Sequence, residues 1–235
     1  MSENTWNRRR FIHASALIVP AFAATSTLGL STGQPAKEKE EVEVTPTEDL
    51  MREHGLLNRC LLVYDHYLAL IAGKKELPSQ PLSDTAGIIR RFIEEYHEKQ
   101  EEDFVFPRFE KAHKLTELVA TLRAQHKAGR QVTAQVLRLA SATALKQPAD
   151  RERLAQGLRA FLRMYRPHEA REDTVLFPAL HEIVSKHEYD AMGEDFEKRE
   201  HQMFGEAGFE GMVEKIGGIE KQIGIYELAQ FTPRP

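Results

Sequence analysis

The chain has 235 residues and a mass of 26.8 kDa, with 41% hydrophobic and 29% charged residues, the composition of a soluble globular protein with one substantial core. A formal net charge of −4 and a pI ≈ 6.2 exclude the basic footprint of a nucleic-acid binder, so no nucleic-acid partner is expected. The single cysteine, Cys60, excludes an intramolecular disulfide framework, a Cys-rich zinc module and a Cys-ligated iron–sulfur cluster; a metal in this chain would be held by Asp, Glu and the ten histidines.

Residues 1–30 have the three-part layout of an export signal. A polar start carrying Arg8, Arg9 and Arg10 is followed by Phe11 to Leu30, almost free of charge, with a small-residue Ala21-Phe22-Ala23 site inside it. The run Asn7-Arg8-Arg9-Arg10-Phe11-Ile12 resembles a twin-arginine signal, with Asn where Ser or Thr is commoner, and implies a periplasmic location after cleavage near Ala23. Left uncleaved, about 20 such residues suffice for a single membrane anchor, the only membrane contact this sequence suggests. Twin-arginine export carries folded proteins, which allows a cofactor to be loaded beforehand. Residues 31–47 are charged, Pro-containing and lack aromatics, and read as a disordered linker.

From Glu48 the pattern is helical, with Gly and Pro clustered between periodic stretches and no alternating Val/Ile/Thr run. The spacing predicts helices at about 48–72, 83–112, 115–146 and 150–186, with Thr47 and Ser83 as N-caps and Gly73 as a stop. Four long amphipathic helices with short connections predict an all-α, antiparallel up-down four-helix bundle over residues 48–186. Residues 187–235 form a C-terminal extension with shorter helices at about 188–204 and 207–222, rich in Gly and carrying no evident chemistry.

The bundle sequence repeats itself. His97 to Pro107 (HEKQEEDFVFP) aligns without gaps to His168 to Pro178 (HEAREDTVLFP), identical at five of eleven positions. His54 precedes His97 by 43 residues and His126 precedes His168 by 42, so each helical hairpin delivers one His and then His-x-x-x-Glu. Residues i and i+4 lie about 40° apart on a helix, so His97/Glu101 and His168/Glu172 each present two groups on one face. Apolar neighbours mark those faces as inward: Ile93 and Phe104, Phe161 and Val175, Leu50 and Leu61 about His54, and Val119, Leu122 and Thr133 about His126. From His54 to its helix end is roughly 27 Å, and from the next helix start to His97 roughly 21 Å, at 1.5 Å per residue. The ligands therefore converge at one height. Two buried carboxylates require cations. Four imidazoles and two carboxylates suit a first-row metal, and six ligands exceed the need of one tetrahedral zinc. Two iron ions fit first, with manganese and zinc behind.

These residues resemble the hemerythrin-like (HHE cation-binding) family, whose order of His, His-x-x-x-Glu, His, His-x-x-x-Glu with an LFP-like run after each pair is met at His54, His97/Glu101, His126 and His168/Glu172, with Val105-Phe106-Pro107 and Leu176-Phe177-Pro178. The resemblance implies a four-helix bundle holding a non-haem di-iron centre, open at one iron to dioxygen or a related small molecule. Two departures stand out. The respiratory carriers place a second His four residues after the third-helix His, where this chain has Arg130, and they take the last carboxylate from an Asp five residues after its His, where this chain has Asp173 beside Glu172. Glu172 is preferred because i+5 swings about 140° off the ligand face, unless a bulge near Pro167 reverses the choice.

Three functions are compatible with this pattern: reversible binding of a diatomic or peroxide ligand or of iron itself, redox catalysis on peroxide or ferrous iron, and a metal-free bundle with surface His/Glu pairs. Arg130 reads either as a surface arginine or as the partner of a site carboxylate. His66, His113, His181, His187 and His201 read as surface histidines, Tyr64, Tyr96, Tyr165 and Cys60 as packing, and Pro107 and Pro178 as helix ends or kinks.

Overall fold

The computed structural model describes residues 44–233; the expected export signal, and the expected linker up to residue 43, lie outside the described residues. Within the compact unit that begins at Pro46, six helices follow one another with no strand among the described residues. They are α1 (Pro46–Ala72), α2 (residues 79–111), α3 (Thr116–Leu139), α4 (residues 148–180), α5 (Lys186–Phe204) and α6 (Gly208–Ile223). Short 3₁₀ turns occupy Ala144–Lys146 and Leu228–Phe231. No described helix is long and apolar enough to cross a membrane.

The ends differ from the sequence expectation for local reasons. Thr47 sits inside the first turn of α1, and its side chain bonds the Tyr189 hydroxyl at 2.6 Å instead of capping the helix. α1 stops at Ala72 as expected, but the left-handed residue of the stop is Lys74, at φ 53°, and not Gly73. α2 starts at Ser79, four residues before Ser83. α3 ends at Leu139, well before 146, because residues 140–147 turn into α4, whose first residue is Pro148. α5 opens on a capping box: Glu188 N–H donates to Ser185 Oγ at 3.2 Å, and Ser185 N–H donates to Glu188 Oε2 at 3.0 Å.

Neither long even-numbered helix is uniform. α2 is α-helical over Ser79–Ile88, π-helical over Ile89–His97 and again over Glu101–Val105, and α-helical over Phe106–Lys111. α4 is α-helical over Pro148–Arg171, π-helical over Glu172–Leu176 and α-helical over Phe177–Leu180. In each repeat the π turn closes with an i→i−5 bond, Phe106 N–H to Glu101 C=O and Phe177 N–H to Glu172 C=O. Pro107 and Pro178 come next. They lack the N–H an α turn would use, and their rings crowd the preceding turn, which the wider π turn relieves. The helices therefore run on through both prolines, and Pro167 lies in the interior of α4. The extra residue in each π turn also moves the buried face by one position. Val105 and Leu176 are fully buried, while Phe104 and Val175, which plain helical periodicity puts inside, are only half-buried.

Two apolar clusters form the core. One is built around Leu56, Tyr64, Ile89, Phe92, Val136, Leu158 and Phe161, with Phe209 and Ile216 of α6. The other contains Leu50, Val105, Phe106, Val119, Leu122, Leu176 and Phe177, with Tyr189, Met192 and Phe196 of α5. α1 and α3 pass from the second cluster to the first, and α2 and α4 pass the opposite way. On all four helices, the histidines and glutamates singled out above fall between the clusters, in one polar layer.

Candidate metal centre

His54, His97, Glu101, His126, His168 and Glu172 are all brought into that layer, each at most 4% exposed. The imidazoles pair within hairpins: Nε2 of His54 lies 3.1 Å from Nε2 of His97, and Nε2 of His126 lies 3.2 Å from Nε2 of His168. The carboxylates cross between hairpins. Glu101 Oε2 is 3.7 Å from His97 Nε2 and 3.4 Å from His126 Nε2. Glu172 Oε2 is 3.1 Å from His168 Nε2 and 3.4 Å from His54 Nε2. Each carboxylate thus stands between the two imidazole pairs, and the six groups form two triads that each have room to hold a metal ion, His54/His97/Glu101 and His126/His168/Glu172.

Every ring is held from behind. Nδ1–H of His54 donates to Asp173 Oδ1 at 2.7 Å, that of His97 to Glu53 Oε2 at 2.8 Å, that of His126 to Glu102 Oε1 at 3.1 Å and that of His168 to Gln125 Oε1 at 2.8 Å. All four partners are oxygen acceptors, so the ring proton sits on Nδ1 and the Nε2 lone pair faces the centre, the tautomer a metal-binding histidine needs. Two lone pairs facing each other 3.1–3.2 Å apart repel, yet that is the separation of two nitrogens bound about 90° apart at roughly 2.1 Å from one ion. None of the four carboxylate oxygens of Glu101 and Glu172 accepts a hydrogen bond. Buried acceptors of this kind without donors call for cations.

Residues 45–180, more than half of the chain, match the hemerythrin HHE cation binding domain. The chain belongs to this family. Relatives from Mycobacterium bovis and from two strains of Mycobacterium tuberculosis are 46% identical over 232 residues, covering 96% of this chain and 91% of their own. No solved structure matches it.

The internal repeat of this hemerythrin-type domain now has a role at each identical position. His97 and His168 face the centre, as do Glu101 and Glu172. Phe106 stacks on His126 at 5.5 Å and Phe177 on His54 at 5.7 Å, so each hairpin's Phe covers the first histidine of the other hairpin. Glu98 and Glu169 are buried behind the candidate ligands: Glu98 accepts from the Tyr165 hydroxyl at 2.6 Å and pairs with Arg130 at 2.8 Å, and Glu169 accepts from Asn58 Nδ2. The prolines follow the π turns.

Arg130 is one of the residues the sequence left open. It pairs with Glu98 and, at 2.7 Å, with Glu102, and so acts on the acceptor behind His126 and not on Glu101 or Glu172. Asp173, the alternative last carboxylate, lies on the opposite nitrogen of the His54 ring from the one facing the cluster. The acceptors Glu53, Gln125 and Glu102 were not singled out from sequence. A signal existed: Glu53 and Gln125 each precede the first histidine of a hairpin, and Glu102 and Asp173 each follow its carboxylate. Of the remaining residues, His113, His181, His187 and His201 are exposed and His66 is half-buried. Tyr64, Tyr96 and Cys60 are buried in the apolar cluster around Phe92 and Phe161, and Tyr165 lies against His168 at 5.4 Å.

Among the protein's own groups the charges are strained. Burial pushes the Glu101 carboxyl well above its usual range, and the neighbouring Glu172 charge adds to this. Burial opposes the Glu172 charge too, but His168 and His54 outweigh it and hold that carboxyl far below the usual range. Burial disfavours a charged His54, yet the Asp173 and Glu172 carboxylates beside it push it up to about 10. Burial holds His97 well below the ordinary range and brings His126 down to about 4. Only one of the two central carboxylates keeps its charge in this state, whereas two divalent cations would let both ionise and leave all four imidazoles neutral.

Two predictions concern the layer behind the ligands. A Cβ on Gly129 would lie 2.1 Å from the Tyr165 hydroxyl oxygen. Gly129→Ala is therefore expected to displace Tyr165 from Glu98 and to lower unfolding free energy in urea by about 1–3 kcal/mol. An ordinary helix-interior Gly→Ala change stabilises by about 1 kcal/mol, so the sign alone decides. Glu94, 1% exposed and paired with Arg90 at 2.8 Å, is pushed up to about 7 by burial. Its folded state favours the protonated acid, so its contribution is present below the ordinary value of 4.5 and is lost as pH rises toward 7. Glu94→Gln is expected to match wild type in thermal midpoint near pH 5 and to exceed it at pH 8; equal midpoints at both pH values would refute this.

Proposed function

We propose that this protein is an exported hemerythrin-like metal protein whose antiparallel up-down four-helix bundle, α1–α4, holds a di-iron centre through His54, His97, Glu101, His126, His168 and Glu172. The single observation that carries the reading is the pair of fully buried carboxylates, Glu101 and Glu172, each set between two imidazole pairs and accepting no hydrogen bond. A metal-free bundle has no use for that arrangement, which would cost several kcal/mol per uncompensated charge. All-oxygen ligation would suit magnesium or calcium, whereas imidazole plus carboxylate suits iron, with manganese and zinc less favoured. When bound, two irons supply reversible redox chemistry and affinity for small oxygen- or nitrogen-containing molecules.

The chain's own residues restrict what reaches the centre. Phe106, Phe177 and Tyr165 lie against three of the four imidazoles, an enclosure that favours a small ligand such as a diatomic, a peroxide or an iron ion. Binding of such a ligand, or handling of iron, is the leading function. Catalysis on peroxide or ferrous iron is the second reading, supported by Arg130 standing where a dedicated carrier has another imidazole. The test is optical. Reduced protein exposed to dioxygen is expected to develop a stable spectrum that reverses on deoxygenation; bleaching with consumption of added peroxide would favour the enzyme. The signal in residues 1–30 supports a periplasmic location.

A further inference from the structure

The twofold likeness of the hairpins extends behind the ligands, and there its chemistry is broken. The residue before the first histidine bonds the second histidine of the same hairpin in both halves: Glu53 on His97, Gln125 on His168. The residue after the central carboxylate bonds the first histidine of the opposite hairpin: Asp173 on His54, Glu102 on His126. The residue four after the first histidine bonds the buried glutamate that follows the second histidine of the opposite hairpin: Asn58 on Glu169, Arg130 on Glu98. The positions correspond and the charges do not.

Both rings of the His54–His97 pair donate to carboxylates. In the His126–His168 pair, one ring donates to the neutral amide of Gln125, and the other to Glu102, whose carboxylate is shared with Arg130 at 2.7 Å and with Lys99. We propose that the two metal positions are unequal by construction: the His54–His97 position binds its ion more tightly than the His126–His168 position, and the Glu53/Gln125 difference is the principal cause. The proposal rests on the two-ion reading above. A carboxylate accepting the Nδ1 proton strengthens imidazole as a donor and offsets part of the ion's charge, which an amide does to a smaller extent. Arg130 adds a fixed positive charge on the weaker side, where it opposes a second cation. The looser ion is then the one that exchanges.

The full chain, stripped with a chelator and titrated with Co²⁺ alone, reports this by calorimetry and visible absorption. The expected result is two one-ion steps that differ at least about tenfold in affinity, since a change behind one ligand typically alters metal affinity about 10–100-fold. Gln125→Glu is expected to tighten the weaker step about tenfold and leave the tighter one in place. Asp173→Asn, at a partly exposed site, is expected to weaken the tighter step alone. Uptake of both ions in one step of equal affinity, a Gln125→Glu variant whose weaker step is unmoved, or substitutions that shift both steps alike would overturn the proposal. Fewer than two Co²⁺ per wild-type chain would instead overturn the two-ion reading itself.

Discussion

Purified full-length protein from iron-replete cells is expected to carry about two iron ions per chain, and His97→Ala fewer than about one, because a ligand removed from one ion also loosens the carboxylates shared with the other. His97 is placed for this role from both sides, with Nε2 3.1 Å from that of His54 and Nδ1 held by Glu53. Elemental analysis beside protein concentration is the measurement. His201→Ala, at an exposed histidine on α5, is the control and is expected to keep both ions. Metal-free wild type, or two irons retained by His97→Ala, would contradict the assignment.

Chelation should then cost stability on a scale set by linkage. An ion present at about a thousand times its dissociation constant stabilises the folded chain by about 4 kcal/mol. For a chain of this size each kcal/mol moves the thermal midpoint by roughly 2–4 °C, so removal of each ion is expected to lower it by roughly 8–16 °C. The variant that isolates the cause is the double substitution Glu101→Gln with Glu172→Gln. It removes both buried carboxyls, including the one that stays charged without metal, so its midpoint should ignore chelator and exceed that of chelated wild type. A wild-type midpoint indifferent to chelator would mean that the central carboxylates are satisfied in some other way.

Much of the architecture was legible because helical periodicity is a local property. The four helices that carry the candidate ligands, the common height of those residues and the repeat came from spacing alone, and all six residues do meet. Where spacing misled, the cause was a change of helical period. Phe104 and Val175 are the inward residues of an unbroken α-helix, but the π turns at Glu101–Val105 and Glu172–Leu176 advance the buried face to Val105 and Leu176. The prolines read as breaks are where the helix resumes. The Ser185-x-x-Glu188 capping box was legible and would have set the start of α5, whereas Thr47 was taken by a tertiary partner, Tyr189, 142 residues away.

What the sequence by itself determined is the inventory and order of the chemistry: two hairpins, each supplying one histidine and then a histidine and glutamate one turn apart, because ligands at i and i+4 share a helix face whatever the helix packs against. What only the tertiary structure decided is the pairing. It set Glu101 and Glu172 between opposite imidazole pairs, turned Asp173 away to the back of His54, joined Arg130 to Glu98 and Glu102, and gave Gln125 the place that Glu53 holds in the other half. Those contacts span roughly 25 to 120 residues of chain, and no periodicity encodes them. They depend on how four helices rotate about their axes when their apolar faces close, a choice made by packing the whole core at once.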